Sequence, residues 1–198
     1  MSRTRDVTHT RRRLSDAVFT TLAERGATGL TLRAVAERAG CTTGLVLHTF
    51  PDKQALLLHA RDVLHERTRE RSDALERDAG DAISAVRAVV LGTLPTDDER
   101  LAEARVWVGF LAAALDDPVL AERHARNGRA FADRLTRLLE AGDPGVRDEA
   151  ATRAAALVAA VEGVSSLAAG DPRRWTTARQ LQALEFVLAA ALPSSPPR

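Results

Sequence analysis

Between Thr31 and Lys53 the chain carries side chains suited to hydrogen-bonding a polyanion. They are the hydroxyls of Thr31, Thr42, Thr43 and Thr49, the guanidinium of Arg33, the imidazole of His48 and the ammonium of Lys53. A planar guanidinium matches a phosphate or a guanine edge, and threonine hydroxyls reach phosphates or base edges. Gly44, set among them, permits close approach of the backbone to a duplex. Each residue also has a plainer role open to it: Thr31 and Thr42 can act only as helix caps, Arg33 can be solvated, and His48 can be a packing residue.

The elements that would position these groups follow from the apolar spacing. Thr31 can cap a helix whose inner face is Leu32, Val35, Ala36 and Ala39, and Gly40 supplies the freedom a tight turn needs. Thr42 can cap a second short helix with Val46 and Phe50 inward. Helices this short are not stable alone, because nucleation is costly, so they must pack on a third. Residues 8–25 supply it, with Leu14, Val18, Phe19 and Leu22 on one stripe. A three-helix unit of this kind lays its second short helix in the major groove of DNA.

The charge is distributed to match. Net charge is only +1, yet residues 1–53 hold nine Lys/Arg against five Asp/Glu, while the remainder holds nineteen against twenty-two. Arg3, Arg5, Arg11, Arg12 and Arg13 crowd the first thirteen residues, the placing of an arm that meets phosphates or of a solvated tail.

The spaced residues Gly26, Thr31, Val35-Ala36, Ala39-Gly40-Cys41-Thr42, Gly44, Phe50 and Asp52-Lys53-Gln54 make residues 11–57 resemble the DNA-binding domain of the TetR family of transcription regulators. The resemblance implies an all-α protein: a three-helix helix-turn-helix domain followed by a six-helix regulatory and dimerisation domain. It implies that Thr31, Arg33, Thr42, Thr43, Gly44, His48, Thr49 and Lys53 meet double-stranded operator DNA, that the protein acts as a homodimer, and that an unidentified small-molecule effector releases it. Repression is the family's default. One position departs: where many members have an aromatic, usually Tyr, this chain has Leu47, which cannot donate a hydroxyl to a phosphate. Cys41, in place of a common valine, reads as a small buried hydrophobe.

Further along, apolar residues recur at steps of three and four. Helices are expected at 53–78, 82–94, 97–115, 118–140, 145–169 and 176–192, after 8–25, 32–39 and 43–49. Asp117-Pro118, Asp143-Pro144 and Asp171-Pro172 each join an N-cap acceptor to a proline, and Thr96 begins a capping-box spacing. Gly142 and Gly170 are expected to end helices in the left-handed conformation. The domains expected are 1–52 (DNA-binding), 53–192 (ligand-binding and dimerisation) and a disordered tail, 193–198. The helix from residue 53 would join the two, so that its movement alters the separation of two DNA-reading heads.

Leu157, Val161, Val164, Leu181, Leu184 and Leu188 form a seam among alanines that suits either a dimer interface or an ordinary core face. Arg105 to Phe110, Glu162-Gly163-Val164 and the Gly170-to-Leu192 region resemble the C-terminal domain of choline-responsive betaine-pathway repressors. Trp107, Phe110, Phe131 and Glu162 could line a pocket there, or the aromatics could be core.

An enzyme is not expected: there is no phosphate-binding glycine loop and no nucleophile set, and His59 and His65 lack metal-binding spacing. No cofactor or metal is expected, nor a membrane partner, and the polar N-terminus points to the cytoplasm. The rival reading is a dimeric helical adaptor that has lost DNA binding, which Leu47 would favour.

Overall fold

A computed structural model describes residues 2–192, with side chains from His9 onward. Among the described residues the chain is all-helical: α1 (Ser2–Gly29), α2 (Leu32–Ala39), α3 (Thr43–Thr49), α4 (Lys53–Asp78), α5 (Ala82–Gly92), α6 (Asp98–Ala114), α7 (Pro118–Gly142), a 3-10 turn (Pro144–Val146), α8 (Ala150–Gly170) and α9 (Thr177–Ala191). The tail expected at 193–198 and the side chains of Arg3 and Arg5 lie outside the described residues.

The helices gather into two compact units. The first runs to Glu66 and adds Ala102–His124; the second joins Arg67–Leu101 to the chain from Ala125 onward. Each therefore draws on separated stretches of sequence, and α4 gives its first half to one and its second half to the other.

In the first unit the inward stripes expected from spacing meet. Leu14, Val18, Phe19 and Leu22 of α1 pack with Val35, Ala36 and Ala39 of α2, Val46 of α3, Phe50, and Leu56, Leu57 and Ala60 of α4. Val18, Leu22, Val35, Val46 and Leu56 are wholly shielded from solvent. Phe110 of α6 joins the same core, and Gly109 lets α6 approach α1 closely, since a Cβ there would stand 3.2 Å from Leu22 Cδ1.

The second unit is built on α5, α7, α8 and α9. Val86, Val89 and Val90 meet Leu135, Leu138 and Leu139, Leu157 and Val161, and Leu184 and Leu188. Buried Gln180 fixes the turn before α6, donating through Nε2 to the Pro95 carbonyl (3.1 Å) and the Trp175 carbonyl (2.8 Å). By length and composition α8 could cross a bilayer, at a mean hydropathy of 1.2, but its Leu157, Val161 and Val164 are buried in the core of the second unit.

Several helix ends differ from the expectation, each for a local reason. α1 continues to Gly29 through Gly26, whose φ of 65° interrupts the helical geometry. Asp97, not Thr96, caps α6, its Oδ1 accepting from Arg100 N (2.9 Å). Asp143 caps only the 3-10 turn, accepting from Gly145 N, so α8 begins at Ala150 rather than 145. Gly142 and Gly170 are not left-handed: among the described residues positive φ occurs only at Gly26 and Gly40. At Gly142 the glycine answers a steric need instead, since a Cβ would fall 2.5 Å from Ile83 Cδ1.

Candidate nucleic-acid interface

The turn between α2 and α3 is fixed from both sides. Thr31 Oγ1 accepts from Ala34 N (3.1 Å) at the start of α2. At its end Gly40 is left-handed (φ 59°, ψ 44°), with Gly40 N donating to the Glu37 carbonyl and Cys41 N to the Ala36 carbonyl. This paired arrangement satisfies carbonyls that a helix terminus otherwise leaves open. Thr42 Oγ1 then accepts from Leu45 N (3.3 Å) and starts α3. Both threonines therefore serve as caps; their side chains are also exposed, so capping leaves them able to meet a second partner.

Arg13 takes a role that its sequence neighbourhood concealed. Its Nη2 donates to the Ala39 carbonyl and reaches the Gly40 carbonyl at 3.4 Å, tying α1 to the turn. Arg38 and Glu24 make a second tie between α2 and α1. Arg11, Arg12 and Arg13 are all exposed, and it is its hydrogen bonds to the turn that distinguish Arg13 from the other two.

α3 is seven residues long, and its one buried residue is Val46. At about 100° per residue, Gly44 and His48 lie nearly opposite Val46, with Thr43 and Leu47 on one flank and Leu45 and Thr49 on the other. All six are exposed. The Thr49 hydroxyl donates weakly to the Leu45 carbonyl (3.4 Å). Gly44 has a negative φ and open space around it: the nearest atom to an added Cβ would be Thr42 Oγ1 at 3.9 Å.

Arg33, at the start of α2, and Lys53, at the start of α4, are exposed and make no ion pair among the described residues. Beside Lys53, Asp52 Oδ1 accepts from Ala55 N (2.8 Å), so a carboxylate already occupies part of the α4 N-terminus. Any phosphate held there would rest on the Lys53 charge more than on free amides. The eight residues nominated from sequence thus share an exposed setting along α2, α3 and the first turn of α4.

The supports behind this surface were not legible in the sequence. His59 of α4 is within hydrogen-bond distance of Ser15 Oγ of α1 (Nε2 to Oγ, 2.9 Å), and its ring packs against Phe50, which ends α3 (centroids 4.9 Å apart). Burial lowers the His59 pKa below its ordinary 6.5, and the nearby Asp62 charge opposes that shift. Gln54 Nε2 donates to Asp117 Oδ2 (2.7 Å), while Asp117 Oδ1 accepts from Val119 N and Leu120 N in the first turn of α7. Cys41 is half-buried against the first core.

The residues nominated for an effector pocket divide between the units. Phe110 is fully buried in the first core, with the Arg61 guanidinium 5.9 Å from its ring centroid. Trp107 is half-buried beside His124 (centroids 6.1 Å). The His124 pKa is lowered by burial and by the Arg61 charge. Phe131 packs against the second core, and half-buried Glu162 lies on α8.

The nominated dimer seam is largely internal. Leu157, Leu184 and Leu188 are fully buried within the second unit, Val161 and Val164 nearly so, and Leu181 is half-buried. Their spacing reports the core face of α8 and α9. The opposite faces are exposed: Thr152, Ala156, Ala159, Gly163 and Leu167 on α8, and Gln182 and Phe186 on α9, with Leu167 50% and Phe186 81% exposed.

Comparison with known proteins agrees with this architecture. Residues 15–60 match the family profile of bacterial regulatory proteins of the tetR family. Residues 82–193 match the profile of the BetI-type transcriptional repressor C-terminal domain. The HTH-type transcriptional regulator BetI of Burkholderia cenocepacia is 32% identical over 159 residues, covering 78% of this chain and 79% of its own. A transcriptional regulator from Rhodococcus sp. Rha1 superposes with a TM-score of 0.83 at 33% identity, covering 91% of this chain and 94% of that one. The fold is shared, at 20% identity and a TM-score of 0.84, by a regulator from Saccharomonospora viridis solved in complex with choline, covering 92% and 96% of the two chains. With a capped helix-turn-helix presenting polar residues outward and a BetI-type helical domain following it in the sequence, the chain belongs to the TetR family of bacterial regulatory proteins and is a DNA-binding transcriptional regulator.

Proposed function

We propose that the protein is a homodimeric repressor that binds a palindromic operator through α2, α3 and Lys53 and is released by a small molecule bound in its helical region. One observation carries the DNA-binding part: seven-residue α3 buries only Val46 and turns six residues outward, between Arg33 and Lys53, which make no ion pair among the described residues. A helix so exposed contributes little to its own core, and its charged flanks suit a phosphate backbone on either side of a groove. Thr43, Gly44, His48 and Thr49 meet base edges or phosphates in this reading, with Thr31 and Thr42 contributing their outward oxygens. We assign residues 1–52 to DNA binding and 53–192 to ligand binding and dimerisation.

The second copy docks on the outer faces of α8 and α9. Small residues at Ala156, Ala159 and Gly163 permit close helix approach, and Leu167 and Phe186 offer apolar area that one chain leaves in water. For the effector, Trp107, His124 and Arg61 form one group within the first unit that combines apolar area with polar atoms. The choline complex of the Saccharomonospora viridis regulator makes choline the first compound to test.

Selection of binding sites from a random duplex library at two salt concentrations tests the reading. Enrichment of a palindrome is expected, and the Arg33→Ala and Lys53→Ala variants should each lower the slope of log affinity against log salt by about one unit per subunit. No enrichment, with the dimer intact in sedimentation, would replace it with the helical adaptor.

A further inference from the structure

Among the exposed large apolar side chains of the described residues, two fall on α3: Leu47 at 49% and Leu45 at 37% exposure. Leu47 stands one turn beyond Thr43 on the same flank and three residues after Gly44, its neighbour on the adjoining outward face. Both Leu47 and Gly44 work against the isolated chain. The leucine holds half its surface in water, and a helical glycine costs about 1 kcal/mol relative to alanine. Nothing within the fold asks for that glycine. Its φ is not left-handed, and the site of its missing Cβ is open. The missing side chain at Gly44, three residues from exposed Leu47, leaves room beside the leucine for a small apolar group on the outward side of the helix.

A major groove offers such a space one apolar group, the C5-methyl of thymine; the remaining base edges present hydrogen-bond donors and acceptors. The phosphates offer nothing to a leucine. We therefore propose that Leu47 is a specificity-determining residue that packs on a thymine methyl group in each operator half-site, with Gly44 giving the clearance for that methyl to enter. This rests on the operator-binding reading above and adds to it which chemical group one position of the site must present.

The test uses the duplex recovered by selection and replaces each thymine by deoxyuridine, which removes the methyl and keeps the base pair. With the wild-type protein, one thymine per half-site should prove sensitive. Its replacement should weaken binding roughly fourfold per half-site, the value of one methyl-sized apolar group, and roughly fifteenfold when both half-sites are changed. Leu47→Ala should bind thymine and deoxyuridine duplexes equally at that position, and sites selected with it should lose the preference for thymine there. Leu47 is exposed, so the variant should melt at the wild-type temperature, and the wild-type arm needs no mutation. If no thymine is methyl-sensitive, or if Leu47→Ala weakens every duplex alike while the methyl effect persists, the proposal is overturned although operator binding stands. If no operator is recovered at all, it is the operator-binding reading that fails.

Discussion

The α2–α3 turn and the α8–α9 pair are both helical hairpins, yet their sequences constrain them in opposite ways. Around α2 and α3 nearly every residue has a distinct physical reason: two threonine caps, one left-handed glycine, one buried valine, and polar groups that can only point outward. In α8 and α9 alanine is the commonest residue and occurs on both faces, which differ by a few large side chains. Inward Leu157 and Leu188 are matched by outward Leu167 and Phe186. Local punctuation therefore specifies one arrangement, whereas apolar spacing specifies a seam without saying which side of it is the inside.

The largest effect expected sharpens that contrast. Leu188→Ala should destabilise the second unit by about 2–5 kcal/mol in denaturant unfolding, because a fully buried leucine leaves a cavity. Phe186→Ala, on the other face of the same helix, should change the stability of the isolated subunit by less than about 0.5 kcal/mol. It should, however, weaken self-association in sedimentation. A reversed order of these two effects would break the assignment of inner and outer faces.

Next in size are the two glycines that bracket the turn. Gly40→Ala forces a left-handed alanine and should cost roughly 1–2 kcal/mol. Gly44→Ala, in an ordinary helical position, should raise the melting temperature slightly while lowering operator affinity. Similar losses of stability at both positions would show that the glycines serve the fold alike.

The smallest effect concerns pH. His59 titrates below 6.5 in the folded chain because burial disfavours its charged form. The unfolded chain therefore takes up a proton first as pH falls through 6.5, so the His59 contribution to stability is complete above that value and declines below it. His124 is shifted in the same direction. The His59→Gln variant should accordingly lose less of its melting temperature between pH 7 and pH 5 than the wild type does, in a calorimetric scan.

The same contrast explains what could be read from the sequence. Helices α2, α3 and α4 begin and end where caps and glycine place them, and the inward faces of the first three helices are those given by three- and four-residue spacing. Arg13 could not be separated from Arg11 and Arg12 by type, because its role depends on carbonyls 26 and 27 residues away. The Asp143-Pro144 pair announced a helix start but produced a 3-10 turn, since a cap and a proline signal a first turn without guaranteeing its continuation. The inclusion of Ala102–His124 in the first unit is a matter of tertiary packing and left no local mark.

Asp117 shows how few atoms can carry a displacement through such a unit. One carboxylate oxygen holds the opening turn of α7, and the other receives Gln54, the residue next to Lys53. In kinematic terms this is a hinge pin common to two levers. If the start of α7 shifts, Lys53, the cation proposed to meet the DNA backbone, is carried with it or the pin is broken, and neither outcome requires the packed core to rearrange.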